Sequence, residues 1–247
     1  MTGGVPEVLR TLARSARRPV VLTGAGMSAE SGVPTFRDAQ TGLWERFDAA
    51  SLASPDAWNT DPAVVWAWYQ WRAGLVRRAQ PNAGHRALAE WGERTDLRIV
   101  TQNVDDLHER AGSVVAAHLH GSLFEPRCSV CGTPAGPIEP LTEPVERLDP
   151  PPCARCGGPI RPGAVWFGEP MPTGPLDVAF DCARTCDLML VIGTSGVVHP
   201  AAGLPVLARE SGATVVEINP DPTGISHAVD HVWRTTAGIG LPALLTD

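Results

Sequence analysis

Four short apolar runs, each followed at once by glycine or polar residues, restrict the fold of this chain more than any other feature. They cover residues 20–22, 97–100, 188–192 and 214–218. Runs of this length suit strands that are buried on both faces, and stretches with helical spacing, such as residues 82–94 and 200–211, lie between them. The alternation predicts an α/β fold with a Rossmann-like, doubly wound parallel sheet.

The residues after these runs have the chemistry of ligand binding. The segments are "TGAG", "TQNVDD", "GTSG" and "NPD". Open parallel sheets bind ligands at the carboxyl ends of their strands. We therefore expect the four segments to meet in one cleft.

Two stretches interrupt the strand and helix alternation. Residues 42–80 are rich in Trp and Ala and predict a helical insert, in which Asp61 caps a helix that starts at Pro62. Residues 124–162 are dense in Pro, Gly and Cys without periodicity, which predicts a small zinc-binding module. The remaining segments, 1–41, 81–123 and 163–247, are assigned to the Rossmann-like domain.

Four of the six cysteines form the pairs "CSVC" and "CARC". The spacing aims two thiolates of each pair at one tetrahedral ion, so we expect one structural zinc ribbon without an open coordination position. A redox pair is the alternative. The predicted ligands are Cys128, Cys131, Cys153 and Cys156. Cys182 and Cys186 lie four apart in a predicted helix and are expected to be small core residues.

Charge and hydropathy exclude two classes of partner. The formal net charge of −7 over 247 residues argues against a general nucleic-acid binder, because neutralising phosphates requires surplus Lys and Arg. Residues 1–19 contain no apolar run long enough for a signal peptide or a membrane span. We expect a cytoplasmic protein without a membrane or direct nucleic-acid partner.

The glycine-rich segment "TGAGMSAESGVPTFRD" predicts a dinucleotide-binding loop. Its backbone can approach a pyrophosphate at four small residues, Gly24, Ala25, Gly26 and Ser28. A tight strand-to-helix turn would also explain the two glycines. The spacing is not GxGxxG, which disfavours a hydride-transfer dehydrogenase. Phe36 and Arg37 are expected to cover the bound cofactor, although each could be structural.

Two further segments supply groups suited to a ribose. Gln102, Asn103 and Asp105 end the second apolar run, and their amides and carboxylate suit hydroxyl groups and a carboxamide. Asp105 could also cap the following helix. His120, in "HLHGS", could accept a proton from a ribose hydroxyl, whereas an isolated histidine is usually structural.

Together these motifs resemble the sirtuins, the NAD-dependent protein lysine deacylases, over nearly the whole chain. The order is "GAGMSAESGVPTFRD", "TQNVDDLHERAG", "HGS", the two CxxC pairs, "VWFGEP", "GTSGVVHPA" and "EINPD". The resemblance implies that NAD is consumed, with release of nicotinamide and 2′-O-acyl-ADP-ribose. It makes His120 the general base and gives Asn103 a catalytic role.

The resemblance also implies the binding residues. For the cofactor they are Gly24, Ala25, Gly26, Ser28, Glu30, Phe36, Arg37, Gln102, Asn103, Asp105, Gly193, Thr194, Ser195, Asn219, Asp221 and Ala237. For the acylated lysine of a protein substrate, an extended edge would pair with the peptide backbone, at Val165, Trp166, Phe167, Gly168 and Glu169.

Tyr69 and Arg72 suggest the acyl group. Three residues apart on a predicted helix, they share a face. In the sirtuin subgroup that removes succinyl and malonyl groups, a Tyr and an Arg occur with this spacing, and a guanidinium can bind a carboxylate with two hydrogen bonds. The resemblance therefore implies desuccinylase and demalonylase activity with deacetylase activity retained. A buried Tyr69 beside a surface Arg72 is the structural alternative.

Three alternative functions remain open. A plain deacetylase of the same family would not use Arg72. A mono-ADP-ribosyltransferase would cleave NAD in the same way and use another acceptor. A zinc-ribbon binding module with a relic NAD fold would keep the cysteines, but the presence of His120 with Asn103 and Asp105 disfavours it.

Overall fold

The computed structural model describes residues 4–35, 44–45 and 48–245. Phe36 and Arg37, two of the predicted cofactor residues, lie outside the described residues. Eight strands are present in the described part: β1 (Pro19–Thr23), β2 (Arg98–Thr101), β3 (Val115–His118), β4 (Gly121–Cys128), β5 (Ile160–Ala164), β6 (Leu188–Ile192), β7 (Thr214–Ile218) and β8 (His231–Trp233).

Six of these strands form one parallel sheet in the order β3-β2-β1-β6-β7-β8. Val20 lies opposite Arg98 on one side and Met189 on the other. The chain leaves β1 toward one edge and later continues from β6 toward the other edge, so the strand order reverses between β1 and β6. Such a reversal opens a crevice at the carboxyl ends of the strands. The predicted doubly wound fold is confirmed.

Helices cover both faces of the sheet because successive strand residues point to opposite sides. Val21 and Leu190 belong to the core on one face of the sheet, which also contains residues of the first, sixth and last helices. Val20 and Met189 belong to the core on the opposite face. The helices are α1 (Glu7–Ser15), α2 (Gly26–Ala29), α3 (Ala49–Leu52), α4 (Pro55–Thr60), α5 (Pro62–Arg78), α6 (Ala83–Gly92), α7 (Leu107–Arg110), α8 (Thr173–Thr185), α9 (Leu204–Glu210) and α10 (Ala237–Leu245).

Among the described residues of the insert, the chain is helical as expected. Asp61 accepts a hydrogen bond from the Val64 N–H at 3.3 Å. Helix α5 starts with Pro62, and the absence of an N–H on proline costs nothing at this first helical position. Trp66 and Trp68 are fully buried and anchor α5 in the interior.

Strands β4 and β5 pair antiparallel and carry the cysteine-rich segment. Cys128 and Ile160 from this segment belong to the same apolar cluster as Trp66 of α5. The insert and the cysteine module therefore share a core, which neither segment's periodicity indicated.

No helix in the described ranges has both the length and the apolarity to cross a membrane. The division of the chain into a Rossmann-like domain, a helical insert and a zinc-binding module stays a prediction.

Candidate active site

A cleft of about 490 Å³ opens at the carboxyl ends of the central strands. The β1, β2, β6 and β7 ends form one wall, and α5 and the segment after β5 form the other. The structure brings most of the predicted site residues into its lining: Gly24, Ala25, Gly26, Ser28, Tyr69, Arg72, Gln102, Asn103, Asp105, His120, Val165, Trp166, Phe167, Gly168, Glu169, Gly193, Thr194, Ser195, Asn219 and Asp221.

The glycines after β1 permit a close contact between two loops. The Gly26 N–H donates to the Gly193 carbonyl at 2.8 Å, and the Gly24 N–H donates to Ile192 at 3.0 Å. A methyl group on Gly193 would lie 2.4 Å from the Met27 nitrogen. Two amides that the sequence suggested for a pyrophosphate are thus engaged within the protein. The glycines are required first by the packing of the β1 and β6 ends.

Hydrogen bonds connect the ends of three strands across the cleft. The Gln102 side-chain amide donates to the Thr194 hydroxyl at 2.9 Å, and the Asn219 amide donates to the Thr194 carbonyl at 2.9 Å. These bonds position polar side chains from β2, β6 and β7 before any ligand enters.

Asn103 belongs to a buried hydrogen-bond chain. Its amide donates to the Ser28 hydroxyl at 3.2 Å, and Ser28 donates to the Asp105 carboxylate at 2.9 Å. Asp105 also accepts the Leu107 N–H at 3.1 Å, at the first turn of α7. Asp105 therefore lies in the cleft and also stabilises the helix start. Burial raises the pKa of Asp105, although these hydrogen bonds oppose the shift.

His120 follows β3 and lies in the cleft with one defined ring orientation. Its Nδ1 lies 2.9 Å from the Gln102 carbonyl oxygen. A carbonyl only accepts, so Nδ1 carries the proton and Nε2 keeps a lone pair. Burial lowers the pKa of His120, although the bond to Gln102 opposes this. The imidazole is therefore neutral at neutral pH and able to accept a proton.

Tyr69 and Arg72 both lie in the cleft wall formed by α5. Arg72 is only 6% exposed, and its guanidinium donates to the Pro34 carbonyl at 3.3 Å. The alternative of a solvated surface arginine is therefore wrong. Burial raises the pKa of Tyr69, and the Arg72 charge only partly offsets this effect. The phenol thus stays protonated and can donate a hydrogen bond.

The segment after β5 is held in place by its own backbone and by one ion pair. Three of its amides already donate: Val165 to His120 O (2.8 Å), Trp166 to Glu169 (2.9 Å) and Phe167 to Ala53 O (2.9 Å). The peptide pairing predicted from the sequence therefore has to use other backbone groups.

Arg161 is a positioning residue for this segment that the sequence did not single out. It binds both carboxylate oxygens of Glu169, at 2.5 and 2.9 Å. Its guanidinium carbon lies 3.4 Å from the Trp166 ring centroid. Glu169 therefore holds the segment in shape through its side chain.

Two predicted cofactor residues lie outside the cleft lining. Glu30 accepts hydrogen bonds from the Thr236 hydroxyl at 2.9 Å and the Gly238 N–H at 2.5 Å, at the start of α10. Ala237 is buried at that helix start, against α6. In this structure Glu30 connects the end of α2 to α10, and Ala237 contributes to the contact between α10 and α6.

Several cleft residues were missed by the sequence interpretation. Met171, His199 and Thr223 line the cleft. His199 lies within the motif "GTSGVVHPA", which was a usable signal, whereas Met171 and Thr223 had none. Glu217, on β7 and fully buried, accepts hydrogen bonds from Thr223, Ser226 (2.6 Å) and Arg234 (3.2 Å), and so anchors the loop after β7.

The four predicted zinc ligands converge on one point. Their sulfurs all lie within 4.8 Å of one another, with 3.4 Å between Cys128 and Cys156 and 3.8 Å between Cys131 and Cys153. Zinc–sulfur bonds of about 2.3 Å in a tetrahedron require sulfur–sulfur distances of about 3.8 Å. The cluster suits one structural zinc ion and not a redox pair. Cys182 and Cys186 are buried at α8, apart from the cluster.

Comparison with known proteins agrees with this geometry. Residues 24–200 match the model of the Sir2 family. The chain is 54% identical over 239 residues to an "NAD-dependent protein deacylase" of Corynebacterium glutamicum, covering 95% of this chain and 92% of that protein. It is 54% identical over 238 residues to "NAD-dependent protein deacylase 1" of Pseudomonas aeruginosa, covering 95% of each.

Solved structures show the same architecture. A Sir2 homologue in complex with NAD superposes with a TM-score of 0.90 at 43% identity, covering 99% of this chain and 94% of that one. A Sir2 complex with a p53 peptide and NAD⁺ gives 0.83 at 31% identity, covering 95% and 94%. The motif order, the parallel sheet, the cleft and the four-cysteine cluster thus agree with these matches: the chain belongs to the Sir2 family, the sirtuins.

Proposed function

We propose that this protein is an NAD-dependent protein deacylase that removes succinyl, malonyl and acetyl groups from lysine side chains. The observation that carries the proposal is the gathering of His120, Asn103 and the Gly24 loop in one cleft, opposite Arg72 on α5. Family membership and the activity named for the relatives support it.

Each polar group of the cleft then has a task in the reaction. Bound NAD supplies the reactive ribose carbon and the nicotinamide leaving group. Asn103 and Asp105 orient the ribose and carboxamide, and Gln102 completes this polar wall with Thr194. His120 accepts a proton from a ribose hydroxyl at Nε2, because Nδ1 is engaged with Gln102.

Arg72 and Tyr69 give the proposal its acyl preference. A succinyl or malonyl group ends in a carboxylate, which a guanidinium can bind with two charge-assisted hydrogen bonds while a phenol donates another. Both side chains are buried in the cleft wall, where such bonds are poorly screened. Deacetylation is retained because an acetyl group is smaller and leaves the reacting groups in place.

The deciding experiment measures nicotinamide release from NAD with acetyl-lysine peptide, with succinyl-lysine peptide and without peptide. We expect release to depend on peptide, with products whose masses correspond to free lysine peptide and acyl-ADP-ribose. Release at full rate without peptide contradicts the deacylase mechanism. A peptide that gains the mass of ADP-ribose identifies a mono-ADP-ribosyltransferase, and turnover of acetyl-lysine alone identifies a plain deacetylase.

A further inference from the structure

Two histidines at the end of β3 contact consecutive carbonyl groups of the β2 end. His120 contacts the Gln102 carbonyl at 2.9 Å, and His118 contacts the Asn103 carbonyl through Nδ1 at 3.1 Å. Between them, the Leu119 N–H donates to the Thr101 carbonyl at 2.8 Å. Residues 118–120 thus hold the backbone of residues 101–103 at three successive points.

His118 differs from His120 in having a second partner. Its Nε2 lies 2.6 Å from the Glu109 carboxylate on α7, while the proposed mechanism uses neither residue. His118 does not line the cleft and its side chain is 25% exposed. It therefore touches neither cofactor nor substrate and acts only through Asn103.

We propose that His118 and Glu109 form a positioning pair that fixes the Asn103 backbone, and through it the Asn103 amide, for the deacylase reaction proposed above. The carbonyl of Asn103 is held by His118 from one side, and its side-chain amide donates to Ser28 from the other. With both ends held, the amide has one orientation in the cleft.

The geometry requires two protons on the His118 ring. The Asn103 carbonyl can only accept, so Nδ1 donates to it, and an ionised Glu109 also only accepts, so Nε2 donates as well. Loss of the Nε2 proton would place a lone pair 2.6 Å from a carboxylate oxygen, which is repulsive. The pair holds Asn103 best while His118 is a cation.

The surroundings favour that cation. Burial lowers the pKa of His118, but the hydrogen bond and charge of Glu109, with help from Asn103 and Asp105, outweigh burial and raise it above 6.5. Two further imidazoles lie nearby among the described residues. His108 is buried, which lowers its pKa well below the usual value, and burial also lowers the pKa of His85, which faces Glu109, to about 4. His120, two residues after His118 along the chain, has its pKa shifted in the opposite direction, downward, by burial.

Three variants separate positioning from simple structural support. His118→Ala and Glu109→Ala should each lower kcat about tenfold through misplacement of Asn103, with the peptide KM nearly unchanged. Glu109→Gln should restore kcat, because a carboxamide N–H can donate to the Nε2 of a neutral imidazole that still binds the Asn103 carbonyl. The matched control is His231→Ala on β8, the opposite edge of the sheet, which should leave kcat unchanged.

A purely structural role of the pair would not change how kcat depends on pH. In the native protein kcat should fall at alkaline pH as His118 loses its proton, and Glu109→Gln should abolish that fall. A native-like kcat in His118→Ala, or equal losses in Glu109→Gln and Glu109→Ala, overturns the proposal. If His118→Ala does not fold, the two Glu109 variants decide alone, since that carboxylate is 41% exposed.

A separate measurement distinguishes failure of this pair from failure of the proposed function. Imidazole ¹H–¹⁵N NMR titration should find the pKa of His118 above 6.5 in the native protein and lower in Glu109→Gln. If the native protein turns over no acyl peptide, the deacylase function fails while the titration still tests the pair. A His118 pKa that Glu109→Gln leaves unchanged shows that the pair does not exist.

Discussion

Arg72→Met tests the proposed acyl preference most directly. Methionine keeps the length and apolar stem of the side chain, so packing against Trp68, whose ring centroid lies 5.1 Å from the guanidinium carbon, is largely retained. What is lost is the charge that would bind the carboxylate of a succinyl group. The acetyl group has no such carboxylate, so its turnover is the internal reference.

The burial of Arg72 sets the magnitude. At 6% exposure the guanidinium is little screened, and removing one partner of a buried charge pair costs about 3 kcal/mol. At about 1.4 kcal/mol per factor of ten, kcat/KM for succinyl-lysine peptide should fall about a hundredfold. For acetyl-lysine peptide the change should stay within about threefold, because no charge pair is lost. Tyr69→Phe, which removes one hydrogen bond to a charged group, should lower only succinyl turnover, about tenfold.

The assay measures kcat/KM for the two peptides on the same enzyme preparations, by mass spectrometry of the deacylated peptide. Gln70→Met is the matched control, because Gln70 is a buried polar residue on the same helix that does not line the cleft. It should leave the ratio of the two activities unchanged. Equal losses on both peptides in Arg72→Met would refute the carboxylate-binding role.

Three further predictions follow from the geometry. In the pH profile of kcat/KM, the loss of activity toward acid pH should have its midpoint below pH 6.5, because burial lowers the pKa of His120 and the base acts only when deprotonated. A midpoint above pH 6.5 would exclude His120 as the base. Chelation of zinc should unfold the β4–β5 module and abolish activity, and the circular dichroism signal and turnover should both recover when zinc is added. A native circular dichroism signal and native turnover without metal would show that the four thiols are not a zinc site. Gly193→Ala should lower the melting temperature and raise the KM for NAD, because the added Cβ would lie 2.4 Å from the Met27 nitrogen. The control is Gly212→Ala, which has a positive φ but no atom within 4 Å of the added Cβ, so it measures the backbone strain alone. Similar effects of the two substitutions would show that close packing at Gly193 is unimportant.

Much of the fold was accessible from the sequence because its signals are local. Each of the four apolar runs corresponds to a strand within one or two residues, since a buried parallel strand must be apolar on both faces. The Asp61–Pro62 helix start and the CxxC spacing are likewise local, because capping and metal ligation join residues a few positions apart. The Sir2 family followed from the order of such motifs.

The roles of individual site residues depended on contacts that leave no local trace. Gln102 and Thr194 bond across 92 positions of sequence. Glu30 was expected in the cleft, and the structure places its carboxylate at the start of α10. The spacing of Tyr69 and Arg72 predicted a shared helix face, but whether that face meets solvent or the interior depends on what packs against the helix.

The sequence by itself determined which segments become strands, which cysteines bind one metal ion and which family the chain joins. Each of these follows from residues that interact with close neighbours in the chain or from the order of recognisable motifs. The tertiary structure decided that the glycines after β1 serve a contact with Gly193, that Arg72 is buried, and that the pKa values of His118 and His120 shift in opposite directions. Those outcomes depend on burial and on partners from distant segments, which exist only once the sheet has assembled.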